Sequence, residues 1–202
     1  MTRVVRHWQH GRTGPRLRWA GFTIPELLTV VVIVGILALI ALPSIDPDRQ
    51  RVDSGMVTIG STLQAAQLEA VARQHDVVVS LDVPGRRMVI LMDANNNGVA
   101  DGGERVRGVE VERSITFARA NAPPLAFGAG PVDLPTGPDG MPRVVFRRNG
   151  SASTAGGIYL TSVKAAAGNP QRTADTRALE IFRATGRVEW WRFDGLTWKR
   201  EF

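Results

Sequence analysis

The feature that most limits how this chain can fold is the long apolar run over residues 22–42. Only three of its residues, Thr23, Glu26 and Thr29, carry polar side chains. As an α-helix the run spans roughly 31 Å, which matches the hydrocarbon thickness of a bilayer. An amphipathic helix of a soluble core would show a polar face, and the residues after Thr29 show none. We therefore predict a transmembrane helix over residues 22–42.

The positive charge of the chain lies ahead of this run and indicates its orientation. The net charge is +6 at pH 7, and residues 1–21 contribute five arginines and no acidic residue. The rest of the chain therefore carries only +1, and the high isoelectric point does not by itself indicate a nucleic-acid-binding protein. Basic segments tend to stay on the cytoplasmic side of a membrane helix. We expect a single-pass protein with its N-terminus in the cytoplasm and its bulk outside.

Glu26 lies inside the apolar run and requires an explanation. A carboxylate in a bilayer costs about 2.5–3.5 kcal/mol on insertion scales, so it normally has a partner or a function. One explanation is local, because Thr23 and Glu26 have the spacing of a capping box, which satisfies the free backbone donors of a first helical turn. Pro25 suits the same turn, where its missing N–H costs nothing.

The sequence around this glutamate also resembles a known signal. The stretches GFTIPELL (21–28), GILA (35–38) and ALP (41–43) resemble the N-terminal signal of type IV pilins and type II secretion pseudopilins. In that family a prepilin peptidase cuts after the glycine on the cytoplasmic side of the inner membrane and methylates the new N-terminal residue. The resemblance implies cleavage between Gly21 and Phe22, N-methylation of Phe22, and a periplasmic globular domain.

The resemblance gives Glu26 a second explanation, which is compatible with the first. Cleavage would create a positive amine on Phe22, and we hypothesise that Glu26 pairs with that amine on a neighbouring subunit during assembly. The expected partners are therefore other pilins or pseudopilins in a filament, the prepilin peptidase and the inner membrane.

The segment after the apolar run is predicted to be an amphipathic helix. Pro43 and Pro47 should interrupt the helix where it leaves the bilayer. From residue 48 to about residue 75, apolar residues recur at alternating spacings of four and three, which places them on one helical face. They are Val52, Met56, Ile59, Leu63, Ala66 and Ala70. This stripe needs a sheet to pack against.

The remaining residues supply that sheet. Short β-branched or aromatic segments, largely separated by Gly, Pro or Asn, are typical of antiparallel strands. They cover residues 77–83, 87–92, 106–112, 114–118, 143–146, 157–162, 178–183 and 187–193, while residues 120–142 read as an irregular loop. We predict an α+β fold, in which a long N-terminal helix, transmembrane and then amphipathic, packs on an antiparallel β-sheet domain. The predicted parts are a basic leader (1–21), a transmembrane helix (22–42), an amphipathic helix (43–75) and a β domain (76–202).

The distal strands resemble one subgroup of this superfamily. VVFRRNG (144–150), GIYL (157–160), ALEI (178–181) and TGRV (185–188) are similar to the strand pattern of the GspH/FimT subgroup. That subgroup contains the H pseudopilin of type II secretion and minor pilins of the FimT or FimU type. The resemblance implies a minor pseudopilin of a periplasmic secretion pseudopilus. The alternative is a minor type IV pilin involved in pilus biogenesis or DNA uptake.

Residues 93–104 match the pattern of a calcium-binding loop, D-x-[DN]-x-[DN]-G-x5-E. The ligands would be Asp93, Asn95, Asn97, the Val99 carbonyl and Glu104, with Asp101 acting through water. The flanking segments are predicted strands rather than the helices of an EF-hand, however. Asn and Gly also suit the positive φ angles of a hairpin loop. The sequence is compatible with a calcium-binding loop and with a hairpin loop that holds no metal, and no other cofactor is expected.

Basic and aromatic residues alternate near the C-terminus, a mixture that can bind phosphates and stack on bases. The DNA-binding candidates are Arg187, Arg192, Lys199 and Arg200. Some FimT-like minor pilins take up DNA through a Gly-Arg-x-Arg motif, whereas this chain has Glu189 at the last position. The alternative is a C-terminal strand pair with one buried aromatic face and one solvated charged face.

Residues suited to catalysis are sparse, and an enzyme is not expected. The chain has no cysteine, which excludes disulfides and thiolate metal sites. After the leader, His75 is the only histidine, and no serine lies in a nucleophile elbow or a phosphate-binding loop.

Overall fold

A computed structural model describes residues 22–41 and 46–201. The chain divides into two compact units, residues 1–45 and residues 46–202. The first unit contains helix α1, Ile24–Ala41. Within the described ranges, no helix meets the length and apolarity needed to cross a bilayer. The leader, Gly21 and Leu42 lie outside the described residues, and the membrane span remains a prediction.

Over residues 46–201, the structure of the second unit has two further α-helices, a 3₁₀ helix and ten strands. The helices are α2 (Pro47–Arg73), α3 (Val163–Ala166) and the 3₁₀ helix (Pro170–Asp175). The strands are β1 (Asp76–Asp82), β2 (Arg87–Asp93), β3 (Arg105–Glu110), β4 (Ile115–Thr116), β5 (Val132–Asp133), β6 (Arg143–Phe146), β7 (Gly156–Ser162), β8 (Arg177–Ile181), β9 (Val188–Phe193) and β10 (Trp198–Arg200).

Helix α2 begins and ends at residues with clear capping roles. The Asp46 side chain accepts hydrogen bonds from the backbone N–H groups of Asp48 and Arg49 at 3.2 and 3.5 Å. Pro47 occupies the first turn, where a backbone donor would be unsatisfied in any case. The helix ends earlier than the periodicity alone suggests, because Gln74 adopts a left-handed conformation with φ of 60°. His75 therefore lies between α2 and β1.

The strands form two antiparallel sheets. The first has the order β3-β2-β1-β6, and the second has the order β10-β9-β8-β7-β4, with β5 also paired to β7. Helix α2 packs against strands of both sheets. The predicted α+β arrangement of an amphipathic helix on antiparallel strands is confirmed.

The core lies between α2 and the two sheets, and the predicted helical stripe forms its centre. The stripe residues are all at most 2% exposed: Val52, Met56, Ile59, Leu63, Ala66 and Ala70. Alternate residues of the first sheet meet them, including Val77 and Val79 on β1 and Ile90 on β2. Because strand side chains alternate between faces, Val78 and Ser80 lie on the opposite face of β1.

Three features of the second unit differ from the sequence-based expectation. The predicted strand at 114–118 is reduced to Ile115–Thr116. Helix α3 follows β7 directly, because the Ser162 side chain caps it by accepting from the Ala165 N–H at 3.2 Å. Strand β5 lies inside the predicted irregular loop and pairs with β7 through Val132 and Ile158.

Candidate assembly helix and basic surface

The start of α1 has the reciprocal geometry of a capping box. The Thr23 hydroxyl accepts from the Glu26 N–H, and Glu26 Oε2 accepts from the Thr23 N–H, each at 3.4 Å. The Leu27 N–H donates to the Thr23 carbonyl at 3.1 Å and closes the first turn. The local explanation for Glu26 is therefore confirmed. Among the described residues, no hydrogen bond is made to the other carboxylate oxygen, Oε1.

The side chains of α1 form an apolar surface that is open to solvent. Every large apolar side chain from Phe22 to Leu39 is at least 50% exposed. Burying such side chains contributes about 1.5–3 kcal/mol each, so an apolar helix of this length strongly favours a lipid or protein environment. Phe22, the predicted methylation site, is 76% exposed at the start of this surface.

Acidic residues at the start of α2 form ion pairs with the region around α3. Asp48 is buried, and its Oδ2 lies 2.6 Å from Lys164 Nζ. The hydrogen bond from Lys164 holds the pKa of Asp48 below its usual value. Asp46 lies 2.5 Å from Arg172 Nη1, and that hydrogen bond likewise lowers the pKa of Asp46. These pairs attach the first turn of the helix to the second sheet.

A buried arginine reinforces this attachment deeper in the unit. The Arg177 side chain is 0% exposed, and its Nε lies 2.6 Å from Asp53 Oδ1 on α2. Its Nη1 donates to the Ala174 and Thr176 carbonyls at 2.8 and 3.0 Å. Burial lowers the pKa of Arg177, and the Asp53 carboxylate opposes that shift. The ion pair between Arg177 and Asp53 therefore links β8 to α2.

The four DNA-binding candidates lie together on β9, on β10 and in the turn between β8 and β9, and each forms an ion pair. Arg187 and Arg200 pair with Glu189, Arg192 pairs with Glu201 and Asp53, and Lys199 pairs with Asp194. Arg192 and Lys199 are opposite each other in the β9–β10 register. Glu189 is only 3% exposed, so it is a buried carboxylate shared by two cations. The positive charge of this surface is therefore largely compensated within the chain.

The neighbouring tryptophans are held by packing and hydrogen bonds. A Cβ at Gly60 would lie 2.3 Å from the Trp190 ring, so α2 and β9 approach closely only because residue 60 is glycine. The Trp191 indole N–H donates to Glu180 at 3.1 Å, and the Trp198 indole N–H donates to a backbone carbonyl at 2.8 Å. The predicted C-terminal strand pair is present, but its aromatics do not form one buried face. Trp190 and Trp191 are half-buried neighbours on β9 and therefore lie on opposite faces of the sheet.

A second group of arginines, which is not among the four DNA-binding candidates, has no ion pair or side-chain hydrogen bond among the described residues. Arg147 and Arg148 lie in the turn after β6, and Arg183 lies in the turn after β8. All three are exposed, and Arg147 and Arg183 line one shallow cleft. The run RRNG, with its turn residues Asn and Gly, was the sequence signal that could have identified this group.

The two arginine-bearing turns are fixed to each other by α2. Gln67 Nε2 donates to the Gly150 and Thr185 carbonyls at 2.9 and 2.6 Å. Gly186, with φ of 63°, allows a close approach, since a Cβ there would lie 2.3 Å from the Gly150 oxygen. The Ala152 N–H also donates to the Arg183 carbonyl at 2.9 Å. The three arginines therefore lie on two turns whose relative position is fixed by these hydrogen bonds.

The calcium-loop candidates lie in the hairpin between β2 and β3. Asp93 accepts from two backbone N–H groups of the loop, and Glu104 accepts from two others. Hydrogen bonds from the Asn95 and Asn97 amides hold the pKa of Asp101 below its usual value. In the described ranges, no group of three or more His, Cys, Asp and Glu side chains is placed to hold a metal. The loop geometry supports the hairpin interpretation.

Comparison with known proteins assigns the family. The sequence model of the family described as Type II transport protein GspH matches residues 58–181, from the middle of α2 to the end of β8. The chain belongs to the GspH family. It is thus a minor pseudopilin or pilin of the GspH type, within the type IV pilin-like superfamily.

The chain is also similar to individual known proteins. The chain is 30% identical to the pilin-like protein PilA1 of Thermus thermophilus over 123 residues, which are 60% of this chain and 78% of PilA1. A similar solved structure is the minor pseudopilin EpsH from the Type 2 Secretion System of Vibrio cholerae (15% identity, TM-score 0.44, 73% of this chain and 98% of EpsH). Another is the type IV minor pilin FimU of Pseudomonas aeruginosa (16% identity, TM-score 0.43, 75% of this chain and 94% of FimU).

Proposed function

We propose that the GspH-type chain is cleaved between Gly21 and Phe22, is methylated at Phe22, and assembles through α1 into the periplasmic pseudopilus of a type II secretion system. The observation that carries this proposal is the exposed apolar surface of α1 in a chain whose second unit is a GspH domain. Such a surface requires lipid before assembly and neighbouring helices afterwards. We also propose that this surface anchors the chain in the inner membrane, with the second unit in the periplasm.

Glu26 would set the register of assembly. Its carboxylate caps α1 through Oε2, which leaves Oε1 for the amine that cleavage creates on Phe22 of a neighbouring subunit. A charge-assisted hydrogen bond contributes about 1.5–3 kcal/mol, which offsets most of the cost of a carboxylate in the membrane. The pair would form only after cleavage, so unprocessed chains would be excluded from the filament.

Two matched variants separate the charge pair from the helix cap. Glu26→Gln keeps an acceptor for the cap but removes the charge, whereas Thr23→Val removes the cap hydroxyl and keeps the charge. We expect Glu26→Gln to lower incorporation into filaments by about tenfold or more and Thr23→Val to leave it nearly unchanged. Mass spectrometry of the membrane-extracted chain should show an N-methylated Phe22 terminus. A terminus elsewhere, or normal incorporation of Glu26→Gln, would refute the proposal.

Deleting the gene distinguishes the secretion role from a pilus role. Loss of type II substrates from the culture medium, with surface pili unchanged, is the expected result. Loss of pili with normal secretion would instead support the minor type IV pilin alternative. Complementation with the Glu26→Gln chain then tests whether the same contact is needed for the phenotype that is observed.

A second candidate function is DNA binding by a FimT-like minor pilin, and the unpaired arginines favour one location for it. Cations already paired with carboxylates must break those pairs to contact phosphates, whereas Arg147, Arg148 and Arg183 have no such pair among residues 22–41 and 46–201. If DNA binds, these turns should therefore contribute more than the C-terminal candidates. Each phosphate contact would appear as a steeper dependence of the binding constant on salt.

A mobility-shift assay over a range of salt concentrations tests this candidate. The variant Arg147→Ala/Arg148→Ala/Arg183→Ala is compared with Arg187→Ala/Arg192→Ala/Lys199→Ala, which removes the same formal charge. The first variant should weaken binding more and lower the salt slope by about three, at roughly one per phosphate contact. Undetectable or salt-insensitive binding by the unaltered chain would reject DNA binding.

A further inference from the structure

Strand β3 is an open edge of the first sheet. It pairs with β2 on one side, and no other described strand pairs with its outer side. All of its residues except the half-buried Val109 are exposed. An open edge presents a row of unpaired backbone N–H and C=O groups, to which an extended peptide can add as a further strand.

One face of this edge adjoins an apolar pocket. Val106 is opposite Leu91 in the β2–β3 register, and both line the pocket together with Val78 and Val89. The hairpin loop after β2 contributes Val99 to the rim. The pocket has a volume of about 140 Å³. An apolar cavity of about 150 Å³ accepts benzene, so this pocket can accept an aliphatic side chain.

The other face of the edge is positively charged. Arg105 and Arg107 alternate with Val106 along the strand, so their side chains leave from the opposite face of the sheet. Both arginines are exposed, and neither has an ion pair or a side-chain hydrogen bond in the part of the chain that the structure describes. An added strand would place every second side chain beside them, within the distance at which cross-strand charges interact.

We propose that β3 is a docking site for an extended segment of a partner protein in which aliphatic and acidic residues alternate. The aliphatic side chains lie on the Val106 face and enter the pocket, while the acidic side chains pair with Arg105 and Arg107. Backbone hydrogen bonds to the open edge supply affinity, and the two faces supply selectivity. This site lies on the second unit and is independent of the assembly proposed for α1.

The charges argue against a second copy of this chain as the occupant. Antiparallel pairing of two β3 strands would bring the arginines of both copies to the same face. Four cations would then lie along one short ladder, and like charges across a strand pair are destabilising. The same arginines therefore protect the edge from self-association while attracting an acidic segment.

Two peptides of opposite charge test the proposal on the full chain, purified in detergent. The probe is N-acetyl-VEVEVEV-amide carrying a fluorophore, and the comparison peptide is N-acetyl-VKVKVKV-amide. Reversing the charge opposite both arginines should weaken binding by about tenfold, as measured by fluorescence polarisation. The preference should invert in the variant Arg105→Glu/Arg107→Glu. Methylating the alternate backbone nitrogens of the glutamate peptide that face β3 should abolish binding, because ladder hydrogen bonds supply the affinity.

A matched variant controls for net charge. Arg147→Glu/Arg148→Glu makes the same change at two other exposed, unpaired arginines and should bind the glutamate peptide within about twofold of the unaltered chain. Val106→Glu should weaken binding of the glutamate peptide, because the replacement alters the pocket. Val106 is 53% exposed, so the change does not open the core. No binding at millimolar peptide, equal binding of both peptides, or equal loss in the control variant would overturn the proposal. Dimerisation of the free chain that Arg105→Glu/Arg107→Glu abolishes would also overturn it.

Discussion

Truncation of Leu63 is the most direct test of how α2 holds the second unit together. Leu63 is 0% exposed in the centre of the buried stripe, whereas Leu68 on the same helix is 70% exposed. Replacing a buried leucine with alanine removes apolar contacts and leaves a cavity, which costs about 2–5 kcal/mol. Alanine has a higher helix propensity than leucine, but the difference is only a few tenths of a kcal/mol and cannot offset that loss. Leu63→Ala should therefore lower the free energy of unfolding by about 2–5 kcal/mol, and Leu68→Ala by less than about 0.5 kcal/mol.

Urea unfolding of the full chain, followed by tryptophan fluorescence, measures both values. Trp190 reports directly, since its ring packs against α2 at Gly60. The urea concentration at the unfolding midpoint should be lower for Leu63→Ala. The slope of the unfolding free energy against urea concentration should stay unchanged, because the same surface is exposed on unfolding. For a domain of this size the melting temperature should fall by about 4–20 °C. Equal losses in the two variants would show that the stripe residues do not form the core.

Three further predictions concern charge, backbone conformation and metal binding. Lys164→Met should destabilise the chain at neutral pH, because ionised Asp48 pairs with Lys164 in the folded state. The difference should shrink as the pH falls below 3.8 and vanish once the pH is below the lowered folded-state pKa of Asp48; urea titrations at several pH values measure this. Gly186→Ala should cost about 1–3 kcal/mol more than Gly168→Ala in the same assay, because both glycines have positive φ but only the first would bring a Cβ against a backbone oxygen. Calorimetric titration with millimolar calcium should give no heat from residues 93–104, whose carboxylates already accept hydrogen bonds; saturable heat would contradict the hairpin interpretation.

Periodicity predicted those parts of the fold in which a single physical cause dominates. The α2 stripe was predictable because helical spacing and burial agree at every position, from Val52 to Ala70. The end of α2 was not, because it depends on a left-handed Gln74 that no spacing reveals. Strand β5 is only two residues long and exists through its pairing with β7, so its own composition carries no signal.

The candidate sites divide in the same way. The capping box at Thr23 and Glu26 is local in sequence and was predicted correctly. The contact from Gln67 to the turns at 150 and 185 spans 83 and 118 residues, so a sequence read locally cannot show it. Residue types at the C-terminus indicated a basic surface, but which of its cations pair with carboxylates such as Glu189 and Asp194 depends on the folded arrangement.

The distribution of paired and unpaired charge bears on what the second unit recognises. From residue 141 to the end the chain has a surplus of basic residues, yet cations such as Arg187 and Lys199 are paired with nearby carboxylates. Among the described residues, the exposed arginines without carboxylate partners include those on the β3 edge and on the turns after β6 and β8. An ion pair at a protein surface contributes little to stability, and a cation left without one is free for an external anion at no cost in internal pairs. We therefore expect acidic partners to bind at the unpaired arginines and not simply where basic residues are densest. The peptide assay tests the β3 edge, and the DNA assay tests the turns after β6 and β8.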